Sequence, residues 1–201
     1  MKLDPEGVLT GLDADQVARL RRFSDVLAAR GADFGVISKT DRGRTWERHV
    51  LDSLRVLACL HPEDRSLADV GSGGGLPGVP LAIARPDLAV SLIEPRQGRV
   101  AFLEMVVEEL AVSNARVVDA RASEVSERFS VCTARALAKP AETWQLVSPL
   151  LSEGGSVVYF AGRSFQESDL AALTRLGVRA KICESDLFHA SGSLVIMQVG
   201  S

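Results

Sequence analysis

Ser66-Leu67-Ala68-Asp69-Val70-Gly71-Ser72-Gly73-Gly74-Gly75-Leu76-Pro77-Gly78 reads as a short buried strand, a glycine-rich turn and the start of a helix marked by Pro77. Glycines at 71, 73 and 75 permit positive φ and place no Cβ between the backbone and a ligand. N–H groups left unpaired at the start of the helix face the same ligand. Several glycines after an apolar strand lower stability unless close approach requires them. Such a turn suits a nucleotide-like molecule.

Two fingerprints share these residues. Gly73-x-Gly75-x-x-Gly78 matches the dinucleotide pattern, which alone is weak evidence. Asp69-x-Gly71-x-Gly73-x-Gly75 matches the first motif of S-adenosylmethionine-dependent methyltransferases. An acid at the strand end would repel a pyrophosphate, whereas it suits a ligand carrying an amino group and a sulfonium. Asp69 therefore favours S-adenosylmethionine.

At 201 residues the chain holds one α/β domain with an extension, or two small domains. A net charge of −3 excludes general nucleic-acid binding by overall positive potential, so any RNA contact requires a local basic patch. Cys59, Cys132 and Cys183 lie far apart without C-x-x-C spacing and read as buried free thiols of a reducing compartment. No metal site is expected. Met1-Lys2-Leu3-Asp4-Pro5-Glu6 lacks the apolar run of a signal peptide, and no later run reaches membrane-spanning length. A cytoplasmic protein is expected, with no membrane partner.

The N-terminal part, residues 1–62, reads as a helical extension packed on a domain of residues 63–201. Asp13 and Gln16 resemble a capping box, and Val17, Leu20, Phe23, Ser24 and Leu27 keep helical spacing up to Gly31. Arg19, Arg21, Arg22 and Arg30 fall mostly off that face and read as solvated charges. Residues 32–43 look irregular. A second helix is expected from Arg44-Thr45, with Trp46, Val50, Leu51, Leu54 and Leu57 inward. From residue 66 strands and helices alternate, which implies a parallel sheet covered on both faces. Strands are expected at 66–70, 88–93, 116–118, 130–137, 156–160, 178–183 and 193–199, with helices near 77–84, 99–110, 140–150 and 166–175. Seven strands with a closing pair fit the methyltransferase variant of the doubly wound fold.

Glu94 ends the second strand, where an acid accepts hydrogen bonds from ribose hydroxyls of either cofactor class. Ala122 and Ser123 follow the third strand, at the place of an adenine ring; spacing alone does not decide their role. Arg135 lies in the uncharged run Val131-Cys132-Thr133-Ala134-Arg135-Ala136-Leu137 and requires a partner. It either pairs with Asp69 or Glu94, or lines the cleft and holds a carboxylate or a nucleic-acid group. Lys139 faces the same cleft. Taken alone, His49 reads as a structural histidine.

Glu47-Arg48-His49-Val50-Leu51-Asp52-Ser53-Leu54 and Asp69 through Ile83 resemble the bacterial small-subunit rRNA guanine-N7 methyltransferase family known as RsmG or GidB. Arg99-Val100-Ala101-Phe102-Leu103, Ala134-Arg135-Ala136 and Pro149-Leu150-Leu151-x-x-Gly154-Gly155 continue the likeness, which covers roughly residues 44–160. The resemblance implies a class I methyltransferase fold with S-adenosylmethionine as cofactor and 16S rRNA or the small ribosomal subunit as partner. It places Gly71 and Leu76 on the methionine side of the cofactor, Ala122 and Ser123 at the adenosine, and Arg135 completing the site. The family pattern has Ala-Glu where this chain has Ala122-Ser123, with Glu124 one place later. His49 becomes a functional element.

Guanine N7 carries a lone pair and no proton, so its methylation requires no general base. No residue is assigned to proton transfer. Phosphate contacts are expected from Arg42, Arg44 and Arg48 beside His49, with Arg96, Arg99 and Lys139 near the strand ends. A monomer is expected. An NAD-dependent oxidoreductase and a cofactor-less ribosome-binding module are the alternatives on the same fold.

Overall fold

The computed structural model describes residues 5–162, 165–183 and 192–200. Its centre is a seven-stranded sheet in the order β3-β2-β1-β4-β5-β7-β6. The strands are β1 (Ser66–Val70), β2 (Ala89–Ile93), β3 (Ala115–Val118), β4 (Phe129–Arg135), β5 (Leu151–Phe160), β6 (Val178–Cys183) and β7 (Leu194–Val199). The first five run parallel, and β7 is antiparallel to both β5 and β6. The chain winds outward from β1 to β3, then crosses to β4 on the other side of β1. The crevice beyond the carboxyl ends of β1 and β4 is therefore the switch point where ligands of such sheets bind.

Alternation along the strands builds two cores. Leu67, Val90, Leu92 and Val131 enter one core with Phe102, Val79 and Ile83. Ala68, Val70, Ile93, Cys132 and Val157 enter the other with Trp144, Val147 and Leu173. The first core lies under the helices α3 (Gly78–Ala84) and α4 (Gln97–Glu109), and the second under α5 (Pro140–Val147) and α6 (Glu167–Arg175). β5 starts earlier than the sequence predicts. It runs through Gly154-Gly155 with a register shift between Phe129 and Val131, so the glycine pair is absorbed as a bulge. Cys59 and Cys132 are buried free thiols, but Cys183 is only half-buried.

The N-terminal segment is a layer of the same core. α1 (Ala14–Arg30) contributes Leu20, Phe23, Val26 and Leu27, and the following segment contributes Val50, Leu51, Leu54 and Val56. The expected second helix is a helical stretch of changing pitch. It winds as a π-helix over Trp46–Leu51, an α-turn α2 over Asp52–Leu54 and a 3₁₀ turn over Arg55–Cys59. The Ser53 hydroxyl donates to His49 O at 2.6 Å and competes with the backbone for that carbonyl, which loosens the winding there.

Arg21, Arg22 and Arg30 are exposed, as their spacing predicts, but Arg19 is half-buried against the end of α4. α1 crosses the end of α4, whose last carbonyls lack intrahelical donors. Arg19 supplies them, with Nη2 reaching Leu110 O at 3.0 Å and Ala111 O at 2.9 Å. Arg22 and Arg30 pair with Glu109 at 3.4 and 3.3 Å, and the Arg21 guanidinium lies 3.5 Å from the Trp46 ring centroid. Gln16, besides closing the capping box with Asp13, donates to Ile83 O and Ala84 O at 3.0 and 3.1 Å and so caps α3. Arg19→Ala is expected to lower stability by about 1–2 kcal/mol. Arg22→Ala, with its side chain 62% exposed, changes stability by less than about 0.5 kcal/mol. Urea midpoints at constant m-value measure both.

Candidate cofactor site and nucleic-acid interface

The glycine turn is held from below by two buried carboxylates. Asp69 is 1% exposed. Its Oδ2 accepts from Gly78 N at 3.0 Å and its Oδ1 from the Thr133 hydroxyl at 2.9 Å. Both oxygens take hydrogen bonds from within the fold and join β1 to α3 and β4. Glu94 is 2% exposed; Oε2 accepts from Gly73 N and Oε1 from Arg96 N, each at 3.0 Å. Arg99 stands 3.7 Å from the same carboxylate. Gly71 N and Ser72 N both donate to Ile93 O, so the turn is also tied to the end of β2.

The glycines differ in what they permit. A Cβ on Gly78 would lie 2.3 Å from Leu92 Cδ2 and 2.8 Å from Asp69 Oδ2, and one on Gly75 would lie 2.6 Å from Val79 Cγ2. These two serve packing. Gly73 has φ +56°, and a Cβ there would meet nothing nearer than 3.8 Å. It therefore presents bare, unobstructed backbone at the switch point, with only Arg99 Nη1 and Gly71 O near a Cβ placed there, each at 3.8 Å. Gly71 faces Leu137. Leu76 is 9% exposed and belongs to the core below the turn, more than to its surface. The Leu76–Pro77 peptide is cis and α3 begins at Gly78.

Beyond β3, Ala122 is buried, Ser123 is exposed, and both lie in the single 3₁₀ turn Ala122–Glu124. Glu124 does not take the place of the family glutamate at position 123. Its carboxylate folds back onto Arg121 N at 2.7 Å.

Arg135 closes β4, and Ala136 after it has φ +52°, a left-handed backbone that turns the chain toward the glycine turn. The partner of Arg135 is neither Asp69 nor Glu94 but Asp52, with Nη2 2.9 Å from Oδ2. The same guanidinium donates to Arg48 O at 3.0 Å and lies 5.2 Å from the Phe160 ring centroid. Asp52 also holds Arg55 at 2.8 Å, and Arg55 reaches Gly192 O at 2.7 Å. Sequence reasoning missed Asp52 as this hub. Its signal was present, an acid inside the apolar run Val50-Leu51-Asp52-Ser53-Leu54.

These bonds set the Arg48–His49 segment over the end of β4. The His49 side chain is 12% exposed, and Nε2 has no hydrogen-bond partner, lying 3.8 Å from Asp41 Oδ2. Burial first and the Arg135 charge second lower its pKa to about 4, so the imidazole is neutral near pH 7. Arg48 is half exposed and pairs with Asp41 at 3.4 Å. Arg96 projects from the Glu94 side, and Lys139 caps the start of α5 at the ends of β4 and β5. Arg44 is exposed, and among the described residues it makes no hydrogen bond or ion pair with Arg48, Arg96 or Lys139. Arg42 pairs with Asp33 at 3.1 Å.

Burial lifts the Asp69 pKa to about 6, against hydrogen bonds from Gly78, Thr133 and Ser72 that lower it. The unfolded value is about 3.9. The folded state thus binds the proton more tightly, and the resulting stability is complete below the unfolded pKa and lost as pH rises through about 6. The stability of the wild type relative to Asp69→Asn is expected to fall between about pH 4 and 7 and to level off above. Asp69→Ala leaves Gly78 N–H and the Thr133 hydroxyl unpaired and is expected to cost about 2–4 kcal/mol. Urea unfolding across that pH range measures both.

A family model described as rRNA small subunit methyltransferase G matches residues 16–187. The Ribosomal RNA small subunit methyltransferase G of Clavibacter michiganensis subsp. michiganensis is 40% identical over 173 residues, 85% of this chain and 81% of that protein. The protein of the same name from Frankia alni is 38% identical over 170 residues, 82% of this chain and 64% of that protein. Among solved structures, a glycopeptide N-methyltransferase complexed with S-adenosyl-L-methionine aligns with a TM-score of 0.60 at 11% identity, covering 76% of this chain and 94% of that one. At that identity the likeness speaks for the fold alone, the seven-stranded class I methyltransferase sheet. The family match spans the glycine turn, the Glu47–Leu54 segment and the Arg135 strand end that the structure brings together, and the chain belongs to the rRNA small subunit methyltransferase G family.

Proposed function

We propose that this chain transfers the methyl group of S-adenosylmethionine to N7 of a guanine in 16S ribosomal RNA, as a monomer in the cytoplasm. The observation that carries the reading is the open backbone of Gly73, braced by Glu94 at the switch point and placed beside the Arg135–Arg48–His49 cluster. Family membership supports it, and sets aside the dinucleotide oxidoreductase and the cofactor-less module.

The residues present fit the cofactor. Gly71 and Gly73 offer backbone without Cβ, and Leu76 supports the turn from the core. Each Glu94 oxygen accepts one backbone N–H and keeps a second lone pair for a ribose hydroxyl. Ala122 and Ser123 stand at the end of β3 for the adenosine. Asp69 shapes the turn from inside, and Arg135 fixes the wall opposite. When bound, S-adenosylmethionine supplies a methyl group on a sulfonium, open to attack by a neutral nitrogen.

Guanine N7 needs no deprotonation, and the neutral His49 is consistent with a site that removes no proton. The task of the protein is alignment, which supplies up to ~7–11 kcal/mol in favourable cases. Arg48, Arg96 and Lys139 line the approach as phosphate contacts, and Arg44 extends them toward the N-terminal layer. Local placement of these cations answers the net charge of −3.

Gly73→Asp fills the open backbone and adds a charge beside Glu94. In a strain lacking the chain, the wild type is expected to restore one 7-methylguanosine to 16S rRNA on mass mapping, and Gly73→Asp to restore none. Restoration of no mark by the wild type refutes the reading. Arg48→Ala removes one phosphate contact while leaving the Arg48 carbonyl that holds Arg135. RNA binding is expected to weaken and the slope of log K against log salt to fall by about one, with S-adenosylhomocysteine affinity unchanged.

A further inference from the structure

A cavity of about 450 Å³ lies between the starts of α5 and α6, at the carboxyl ends of β4 and β5. This is within the ~300–1,000 Å³ usual for small-ligand sites. The Tyr159 ring forms part of the lining and is 8% exposed; its hydroxyl donates to Ala138 O at 3.0 Å. Pro140 and Phe165 contribute apolar surface, and Lys139, Gln166 and Asp169 contribute polar groups. The cavity adjoins the cofactor turn. Leu137, whose Cδ1 would stand 3.0 Å from a Cβ on Gly71, directly precedes the lining residues Ala138 and Lys139.

The lining selects its ligand by chemistry. An aromatic side chain at Phe165 suits a flat ring. Lys139 is exposed and forms no ion pair among the described residues, so it suits an anion tethered to that ring. Asp169 accepts from Gln166 N through Oδ2 at 2.9 Å, and its Oδ1 accepts no hydrogen bond among the described residues. An ionised carboxylate only accepts hydrogen bonds, so the ring must present N–H donors. Guanine presents two adjacent donors, N1–H and the N2 amino group, on its Watson–Crick edge; adenine has an acceptor at N1.

We propose that this cavity receives the guanine nucleotide of the RNA substrate, with Asp169 on its Watson–Crick edge, Phe165 on its ring and Lys139 on its phosphate. Held by that edge, the base directs N7 away from Asp169. Asp169 is then the specificity-determining residue for guanine. The assignment rests on the methyl-transfer reading above and names the pocket for its substrate.

Binding of free nucleotides tests it without reference to activity. Titrations of guanosine, inosine and adenosine monophosphates, followed by saturation-transfer NMR, are expected to rank guanosine first, inosine second and adenosine last. Asp169→Asn keeps an acceptor for Gln166 N, so α6 retains its cap. It is expected to weaken guanosine monophosphate by about tenfold or more and to close the gap to the adenosine nucleotide. Lys139→Gln is expected to erase the advantage of guanosine monophosphate over guanosine. Equal affinity for the guanine and adenine nucleotides, an Asp169→Asn variant with the wild-type ranking, or no saturable binding at all would overturn the proposal. Methyl transfer to rRNA by the wild type, measured in parallel, separates the two readings. Transfer without nucleotide selectivity removes only the pocket, and selectivity without transfer removes only the reaction.

Discussion

The Asp69 carboxylate lies at the end of β1 with Gly78 N–H on one oxygen and the Thr133 hydroxyl on the other. One side chain thereby joins β1, β4 and the first turn of α3 at the point where the winding of the sheet reverses. Ionised burial is unfavourable by itself, and the two hydrogen bonds offset part of that cost. The return is geometric. With Gly78 held inward, the backbone between residues 70 and 78 arches over the strand end, and Gly73 stands bare at the top. Glu94 repeats the device from β2 by taking Gly73 N–H itself. The turn is thus set by its supports before any ligand arrives, which is how a site avoids losing binding energy to ordering.

A second ionic assembly connects this turn to the N-terminal layer. Asp52 lies between Arg55 and Arg135, and Arg135 also holds the Arg48 carbonyl. The segment carrying Arg48 and His49 is therefore fastened to the strand end that borders the cofactor turn. Its π-winding follows from the same contacts, since Ser53 draws on the His49 carbonyl that a regular helix would use. The Arg48–His49 segment and the glycine turn are so coupled through one guanidinium. Glu109 and the α4 carbonyls play the matching role at the far end, where they anchor the arginines of α1.

Much of this was legible in the sequence because it rests on local pattern. Strand alternation, the glycine spacing and the Asp13–Gln16 cap depend on neighbours within a few residues, and each stands where the spacing puts it. What was not legible depends on partners far apart in the chain. Arg135 finds Asp52 far away in the chain, and nothing local distinguishes that partner from Asp69 or Glu94. Arg19 reads as a surface charge until α4 is laid beside it. Asp69 carries the right residue type for the motif, yet its carboxylate is aimed by Gly78 and Thr133 into the fold. The cavity bounded by Phe165 and Asp169 joins two loops that have no shared sequence signal.

The most direct test of the account is to incubate the purified chain with 16S rRNA or intact small subunits and methyl-labelled S-adenosylmethionine, then digest the RNA to nucleosides for mass analysis. The account predicts label in 7-methylguanosine alone. Label in another nucleoside, or none in either RNA substrate, would contradict it.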